Sequence, residues 1–404
     1  MSEAQITVSM ILFMPWCPID KVYQVGDVTL LPFERQKPII GLDQAELTQV
    51  RALMGIYKDI EGEPVNRAAL IRFGHKSVIE DLNEAEIDEA YDLVAIACFC
   101  GLTNRQYFNS LGPYCNSDSF SLFVQRFKDT EFVALTSRRR DGSNMSAWAV
   151  EEIAITIPIH AHTIRSISLD ERLLGALIVH RGLAGSEWGR WQSAISCFNW
   201  ANTDSDNIRH QVEWVNLCGA FEHLLEAKTM AEDVARRFSD VLTPSDPLLA
   251  RDANCRSTKS ADKGQSLRYE WMREFYRIRG DFAHGRLSSQ QATVWEPFEY
   301  LVLATIAFPL VVKGLLDKAH RHDLSDADRD QIDAFERFSD TKDFTNPPLD
   351  QKNSLDSHWK RLVEDRRWKR TTREIAEKLK AHRQMASGEN GHPRDRGEVD
   401  NEDK

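Results

Sequence analysis

Hydrophobic and polar positions change rhythm near residue 168. Before it, apolar runs with a period of two alternate with helical stretches. ITVSMILF (6–13) and KVYQVGDVTLLPF (21–33) predict strands, with Gly26-Asp27 as a bend inside the second. LDQAELTQVRALMGIY, from Leu42, spaces its apolar residues by three and four and predicts a helix. RAALIRFG predicts a strand and EIDEAYDLVAIACFC a second helix; SLFVQRF and EFVALTSR follow as strands. RRRDGSN contains Asp141-Gly142, a hairpin signal. AWAVEEIAITIPIHA (147–161) then predicts a long returning strand. Residues 1–168 read as a mixed α/β domain.

From Leu169 the pattern is helical. DERLLGALIVHRGL, SEWGRWQSAISCFNWANT and IRHQVEWVNLCGAFEHLLEA each predict a helix. The third carries a stripe of Val212, Val215, Leu217, Ala220, Phe221, Leu224 and Leu225. AEDVARRFSDVL follows and stops at Thr243-Pro244, and the polar 244–265 reads as a loop. SLRYEWMREFYRIRGDFAH predicts a helix ended by Gly285. Gln290 to Lys318 predicts the last long apolar helix. Its LVLATIAFPLVVKGLL core is too short for a comfortable membrane span, is interrupted by Pro309 and Lys313, and reads as a buried bundle helix. The expected fold class is α+β: a mixed α/β N-terminal domain, then an all-α helical bundle over 169–322. A linker over 323–357, a basic amphipathic helix over 358–385 and a disordered tail over 386–404 complete the reading.

Charge narrows the function classes. The net charge is −11, so a general polyanion binder is excluded and any nucleic-acid contact must be local. From Lys360 to Arg383, ten Lys/Arg stand against four Asp/Glu. That makes Lys360, Arg366, Arg367, Lys369 and Arg370, with Trp359 and Trp368 for stacking, the candidate nucleic-acid contacts. The plainer reading is a solvated helix docked through its tryptophans, Leu362, Ile375 and Leu379. Arg138-Arg139-Arg140 is a hairpin tip that either touches phosphate or is simply solvated. Seven irregularly spaced cysteines, several in apolar stretches, predict reduced, buried thiols and a cytoplasmic chain. The N-terminus has no basic region before its short apolar run, which predicts a strand and not a signal peptide. His160 and His162 would share one face of a strand, but no third metal ligand stands at useful spacing; Cys98-x-Cys100 lacks a second pair. No phosphate-binding glycine loop and no G-x-S-x-G is present. No metal, cofactor or membrane partner is expected.

The remaining chemistry sits in YRIRGDFAHGR, Tyr276 to Arg286. A bare Arg-x-x-x-x-His carries little information in a chain with 12 histidines. Its setting carries more. Tyr276 stands three before Arg279, Gly285 follows His284, and a long apolar helix comes next. Phe221, Glu222, Leu224 and Leu225 stand on a helix some way upstream. This combination, over about 188–318, resembles the Apea-like HEPN family. The resemblance implies a metal-independent endoribonuclease of a prokaryotic toxin or defence system, acting on RNA as a homodimer through the bundle. It further implies an N-terminal sensor and a regulatory partner not yet identified. Arg279 and His284 would be the catalytic pair, supported by Tyr276, Asp281, Glu222 and Gly285, with Arg286 beside them for nucleic acid. The sequence departs from the family where Gly280 replaces a polar residue after the arginine. Arg286 also stands where some toxin relatives carry a modified tyrosine. Several members of the family are non-catalytic modules for protein or nucleotide binding and dimerisation, and that alternative stays open.

The residue types suit the reaction. Cleavage without metal needs a proton acceptor for the 2′-OH, a donor for the leaving 5′-oxygen and positive charge on the phosphate. An imidazole titrates near neutrality, and a guanidinium is always charged and bidentate. Five residues turn about 140° on a helix, so the two side chains diverge unless Gly280 and Gly285 loosen the end or a second chain completes the site. The plainer reading packs Tyr276 and Phe282 inward, pairs Arg279 with Glu222 or Glu274, and leaves His284 to cap the last carbonyls.

Overall fold

The structure, a computed structural model, describes residues 8–39, 41–105, 113–128, 131–132, 135–138, 141, 144–147, 153–161, 163–164, 166–228, 230–254, 264–283, 293–340 and 354–388. It is α+β: a small antiparallel sheet followed by a helical C-terminal region. Strands β1 (Val8–Met14), β2 (Tyr23–Val25), β3 (Val28–Glu34), β5 (Arg67–Phe73), β7 (Phe123–Lys128) and β8 (Glu131–Phe132) form a sheet in the order β2-β3-β5-β1-β7-β8. The β2–β3 turn uses Gly26 at φ +58°, a left-handed conformation that glycine adopts without strain.

Both faces of the sheet are covered, which explains why β1 is apolar at nearly every position. Alternate residues point to opposite sides. Ile11, Phe13, Leu31, Phe33 and Leu70 face helix α1 (Gln44–Met54), whose start Asp43 and Glu46 close with a capping box. Met10, Leu12, Met14, Leu30 and Ile71 face helix α2 (Glu84–Leu102). From Leu93 to Leu102 that helix is buried almost all round because its other side meets the bundle: Phe99 packs edge-on against Phe198 and Phe308, and the Asn199 amide donates to the Ala95 carbonyl. The apolar core therefore runs unbroken from Met10 to Phe338, across position 168.

The hairpin expected at Asp141-Gly142 is present as β9 (Leu135–Arg138) paired with β10 (Asn144–Ala147); residues 139, 140, 142 and 143 lie outside the described residues. The long strand expected over 147–161 is not continuous. After residues outside the described set comes β11 (Ile155–Thr156), which pairs in parallel with the short β4 (Tyr57–Lys58). Pro158 then leads into a turn at Ile159 and His160. A last short pair joins β12 (Thr163–Ile164) to β6 (Tyr114–Cys115).

The bundle comprises α3 (Glu171–Ala184), α4 (Trp188–Trp200), α5 (His210–Leu225), α6 (Ala231–Val241), α7 (Leu267–Ala283) and α8 (Pro297–Lys318). On α5, Trp214 is fully buried and Val212 is exposed, so the expected stripe is rotated toward the tryptophan. Helix α8 begins at Pro297, later than expected at Gln290, because Glu296 and Glu299 form a capping box and Pro297 occupies the first turn. Long and apolar enough to cross a membrane, α8 is instead two-thirds buried in the protein.

The expected linker over 323–357 is corrected in its first half. Asp326–Ser339 is a helix, α9, opened by a Ser325/Asp328 capping box. Ile332, Ala334, Phe335 and Phe338 bury its inner face, and the buried Glu336 pairs with Arg268 of α7. Residues 341–353 lie outside the described set. The basic segment is helix α10 (Ser354–Gly388), so 386–388 belong to it and not to the tail; 389–404 lie outside the described residues.

Candidate functional site

Helices α5 and α7 build the corner that holds the sequence-nominated residues. Trp214, Cys218 and Glu222 stand four apart and share one face of α5. The Trp214 indole stacks on Phe275, and its N–H donates to the Phe275 carbonyl at 2.9 Å. In a regular helix that same carbonyl accepts the backbone N–H of Arg279. The bond fixes the height and rotation of α7 against α5 just below the arginine. Two turns further along α5, Glu222 accepts at Oε2 from the Tyr276 hydroxyl at 2.6 Å. Arg279 Nη1 donates to the Tyr276 oxygen at 3.3 Å, and Nη2 lies 3.5 Å from Glu222 Oε2. The guanidinium also lies over the Tyr276 ring, 5.4 Å from its centroid.

Three of the nominated residues thus meet: Glu222, Tyr276 and Arg279. The partner of Arg279 is Glu222, whereas Glu274 accepts from the Tyr300 hydroxyl and the Val294 N–H. Burial and the bond to Glu222 push the Tyr276 phenol far above its ordinary value, while Arg279 pulls the other way. Tyr276 therefore stays protonated and serves as a fixed donor. Beneath it, burial raises the Cys218 thiol well above its usual range, with Arg279 opposing; this thiol is inert. The Arg279 side chain remains 30% exposed and Glu222 21%, so the ion pair sits at an edge open to solvent. Asp281 is half-buried on α7 and joins none of these bonds. His284, Gly285 and Arg286 lie outside the described residues. Gly280 has open space where a Cβ would stand, so neither packing nor backbone requires glycine there.

Arg370 grips Asp330 at 3.1 and 3.0 Å and reaches Asp326 at 2.9 Å, and Arg366 is buried 3.6 Å from Asp246. Both arginines hold α10 to the bundle and are not free for phosphate. Arg367 and Lys369 face solvent, Lys369 reaching Asp365 at 2.9 Å; the Lys360 side chain lies outside the described residues. Of the tryptophan and aliphatic stripe, Trp368, Ile375 and Leu379 are exposed and Leu362 makes an apolar contact; the Trp359 side chain lies outside the described residues. His160 lies in a turn, 3.8 Å from Asp118, and His162 is outside the described set. Among the described residues no His, Cys, Asp or Glu group could hold a metal ion. Cys98 and Cys100 are buried in α2 with thiols raised by burial, and the six described cysteines are free.

Two open grooves, of 440 and 400 Å³, flank α6. Arg236 and Asp240 line both, and their charges are matched within α6 itself. Neither groove includes Glu222, Tyr276 or Arg279. The α5–α7 corner differs from these grooves in that a tyrosine hydroxyl and a carboxylate from the sequence-nominated set meet there on a partly exposed guanidinium. Sequence reasoning missed Trp214 and Cys218 as the supports of this corner, although their spacing from Glu222 was readable. Comparison with protein-family models, with curated proteins and with solved structures finds no match.

Proposed function

We propose that this chain is a cytoplasmic, metal-independent endoribonuclease of the Apea-like HEPN type, belonging to a toxin or defence system. Arg279 acts as the phosphate clamp and His284 as the general acid and base. The observation that supports this reading is the convergence of Glu222, Tyr276 and Arg279 on one solvent-reached corner. Glu222 and the protonated Tyr276 hold the arginine from one side. A phosphodiester approaching from solvent meets a guanidinium already oriented, and an oriented charge stabilises a transition state without reorganising. The 2′-hydroxyl loses its proton to the imidazole and attacks phosphorus, the 5′-oxygen leaves with a proton, and a 2′,3′-cyclic phosphate remains. A homodimer through the bundle would place two such corners in one cleft, with the N-terminal α/β part as sensor for a regulatory partner.

A second reading has its own support. Arg279 already holds Glu222, which satisfies much of its charge. That suits a non-catalytic module in which the same corner binds a nucleotide or protein. Incubating the purified chain with mixed RNA in EDTA separates the two. Cleavage that disappears in Arg279→Ala and in His284→Ala supports the nuclease. Binding of RNA or nucleotide with no cleavage by any form supports the module.

A further inference from the structure

Helix α10 has two opposite faces with different fates. Leu362, Arg366 and Arg370 hold its first part to the bundle through the core, Asp246 and Asp330. From Thr372 to Gln384 every residue is exposed. Trp368 (72% exposed), Ile375 (53%) and Leu379 (55%) lie on the outward side, about 160° round from the docked residues at 100° per residue. An isolated helical segment of this length is marginal in water, and large apolar side chains on it gain stability only when covered.

The spacing identifies the kind of cover. Trp368, Thr372, Ile375, Leu379 and His382 follow one another at intervals of four, three, four and three. This is the alternation of a heptad seam, with Trp368, Ile375 and His382 at d and Thr372 and Leu379 at a. The flanking e and g positions over the same stretch are Lys369, Thr371, Ala376, Lys378 and Arg383. Three are basic and none is acidic. A second copy of the same helix would set lysine and arginine against lysine and arginine across the seam, which disfavours self-pairing. A seam carrying exposed Trp368, Ile375 and Leu379 is also more apolar than a phosphate backbone needs.

We infer that the outward face of α10 is a docking surface for an amphipathic helix of a partner protein. That helix carries apolar a and d positions and acidic residues at e and g. The arrangement is helix-on-helix recognition, with Trp368, Ile375 and Leu379 of the seam supplying affinity and Lys369, Lys378 and Arg383 selecting the partner's charge. The inference is independent of the nuclease reading, since it uses no residue of the α5–α7 corner.

The test uses the full chain and a labelled three-heptad peptide with leucine at a and d and glutamate at e and g, followed by fluorescence anisotropy. Saturable binding is expected. Leu379→Glu should weaken it about tenfold or more, the scale of one buried leucine, while the melting temperature stays unchanged because Leu379 is exposed and outside the apolar core. Reversing Lys369, Lys378 and Arg383 together to glutamate should transfer preference to a peptide with lysine at e and g. The proposal is overturned by no saturation up to about 100 µM peptide. It is equally overturned if single-stranded RNA or phosphatidylserine vesicles compete for the face while the peptide does not. Sedimentation showing a dimer of the chain that Leu379→Glu dissolves would assign the face to a second copy and also refute it.

Discussion

Glu336 offers the sharpest test of whether residues 326–339 belong to the bundle. Its side chain is 1% exposed, one oxygen takes the Arg268 guanidinium, and the other accepts the Leu248 N–H at 2.7 Å. Glu336→Ala leaves a buried cation and a buried backbone donor together. Breaking a buried pair from one side costs about 3–5 kcal/mol; the orphaned N–H brings the expected loss to the upper end, about 5 kcal/mol. For 404 residues melting as one unit, an unfolding entropy of about 0.85 kcal/mol/K converts this to a fall of ~6 °C. Differential scanning calorimetry reads it. Replacing both partners, Arg268→Met with Glu336→Leu, should recover the part of the loss due to the buried cation, about 3 kcal/mol, because two apolar groups leave no charge behind, while the Leu248 N–H stays orphaned. A Glu336→Ala melting point within about 1 °C of the parent would refute the reasoning. So would a double variant no better than the single one.

Other outcomes follow from the same structure. Lys313 sits 2.8 Å from both Asp170 and Asp328, largely buried; burial pulls its ammonium down but the two carboxylates outweigh it, so it titrates above its ordinary value. Lys313→Met should cost about 3 kcal/mol, read as a lower urea midpoint. Burial, with Asp204 nearby, pushes the Glu213 carboxyl up to about 7 from its ordinary 4.5. The folded state therefore binds the extra proton across that window, and this group's contribution to stability falls as pH rises from about 4.5 to 7. Glu213→Gln should flatten the decline by about 1–2 kcal/mol in denaturation midpoints measured at pH 5 and pH 8; an unchanged slope contradicts it. Gly280→Ala, entering open space in a helix, should stabilise by about 0.5–1 kcal/mol; a lower melting point would mean that α7 needs the freedom of glycine there.

Much of the fold was legible because each element carries its own rhythm. The apolar period of α1, α2, α5 and α7 and the Gly26-Asp27 bend lie in local spacing. Helix α9 was hidden by its charge. DADRDQIDAFERF reads polar because its buried face mixes Ile332, Ala334, Phe335 and Phe338 with the buried, paired Asp328, Asp330 and Glu336, yet Ser325 and Asp328 were a readable capping signal. The 147–161 stretch failed the other way: its period of two is real, but partner strands and not periodicity decide how much becomes ladder. At the site, the sequence nominated Glu222, Tyr276 and Arg279 and the structure brings them together. It could not choose between Glu222 and Glu274 as the partner of Arg279, because that depends on which face of α7 meets α5. On α10, composition put Arg366, Arg367 and Arg370 alike among the candidate phosphate contacts; only tertiary placement separates Arg366 and Arg370, which anchor the helix, from Arg367, which faces solvent.

The central claim is that the Arg279 guanidinium acts on a phosphodiester opened by its own 2′-hydroxyl. The most direct measurement is single-turnover cleavage, in EDTA, of an RNA oligonucleotide at its mapped site, beside the same oligonucleotide with one 2′-deoxy nucleotide there. The account predicts a 2′,3′-cyclic phosphate on the product from the all-RNA strand, no cleavage of the deoxy-substituted strand, and a rate about 10²-fold or more lower in Arg279→Ala. A cut that leaves a 3′-hydroxyl, that proceeds at the deoxy position, or that keeps its full rate without Arg279 would contradict it.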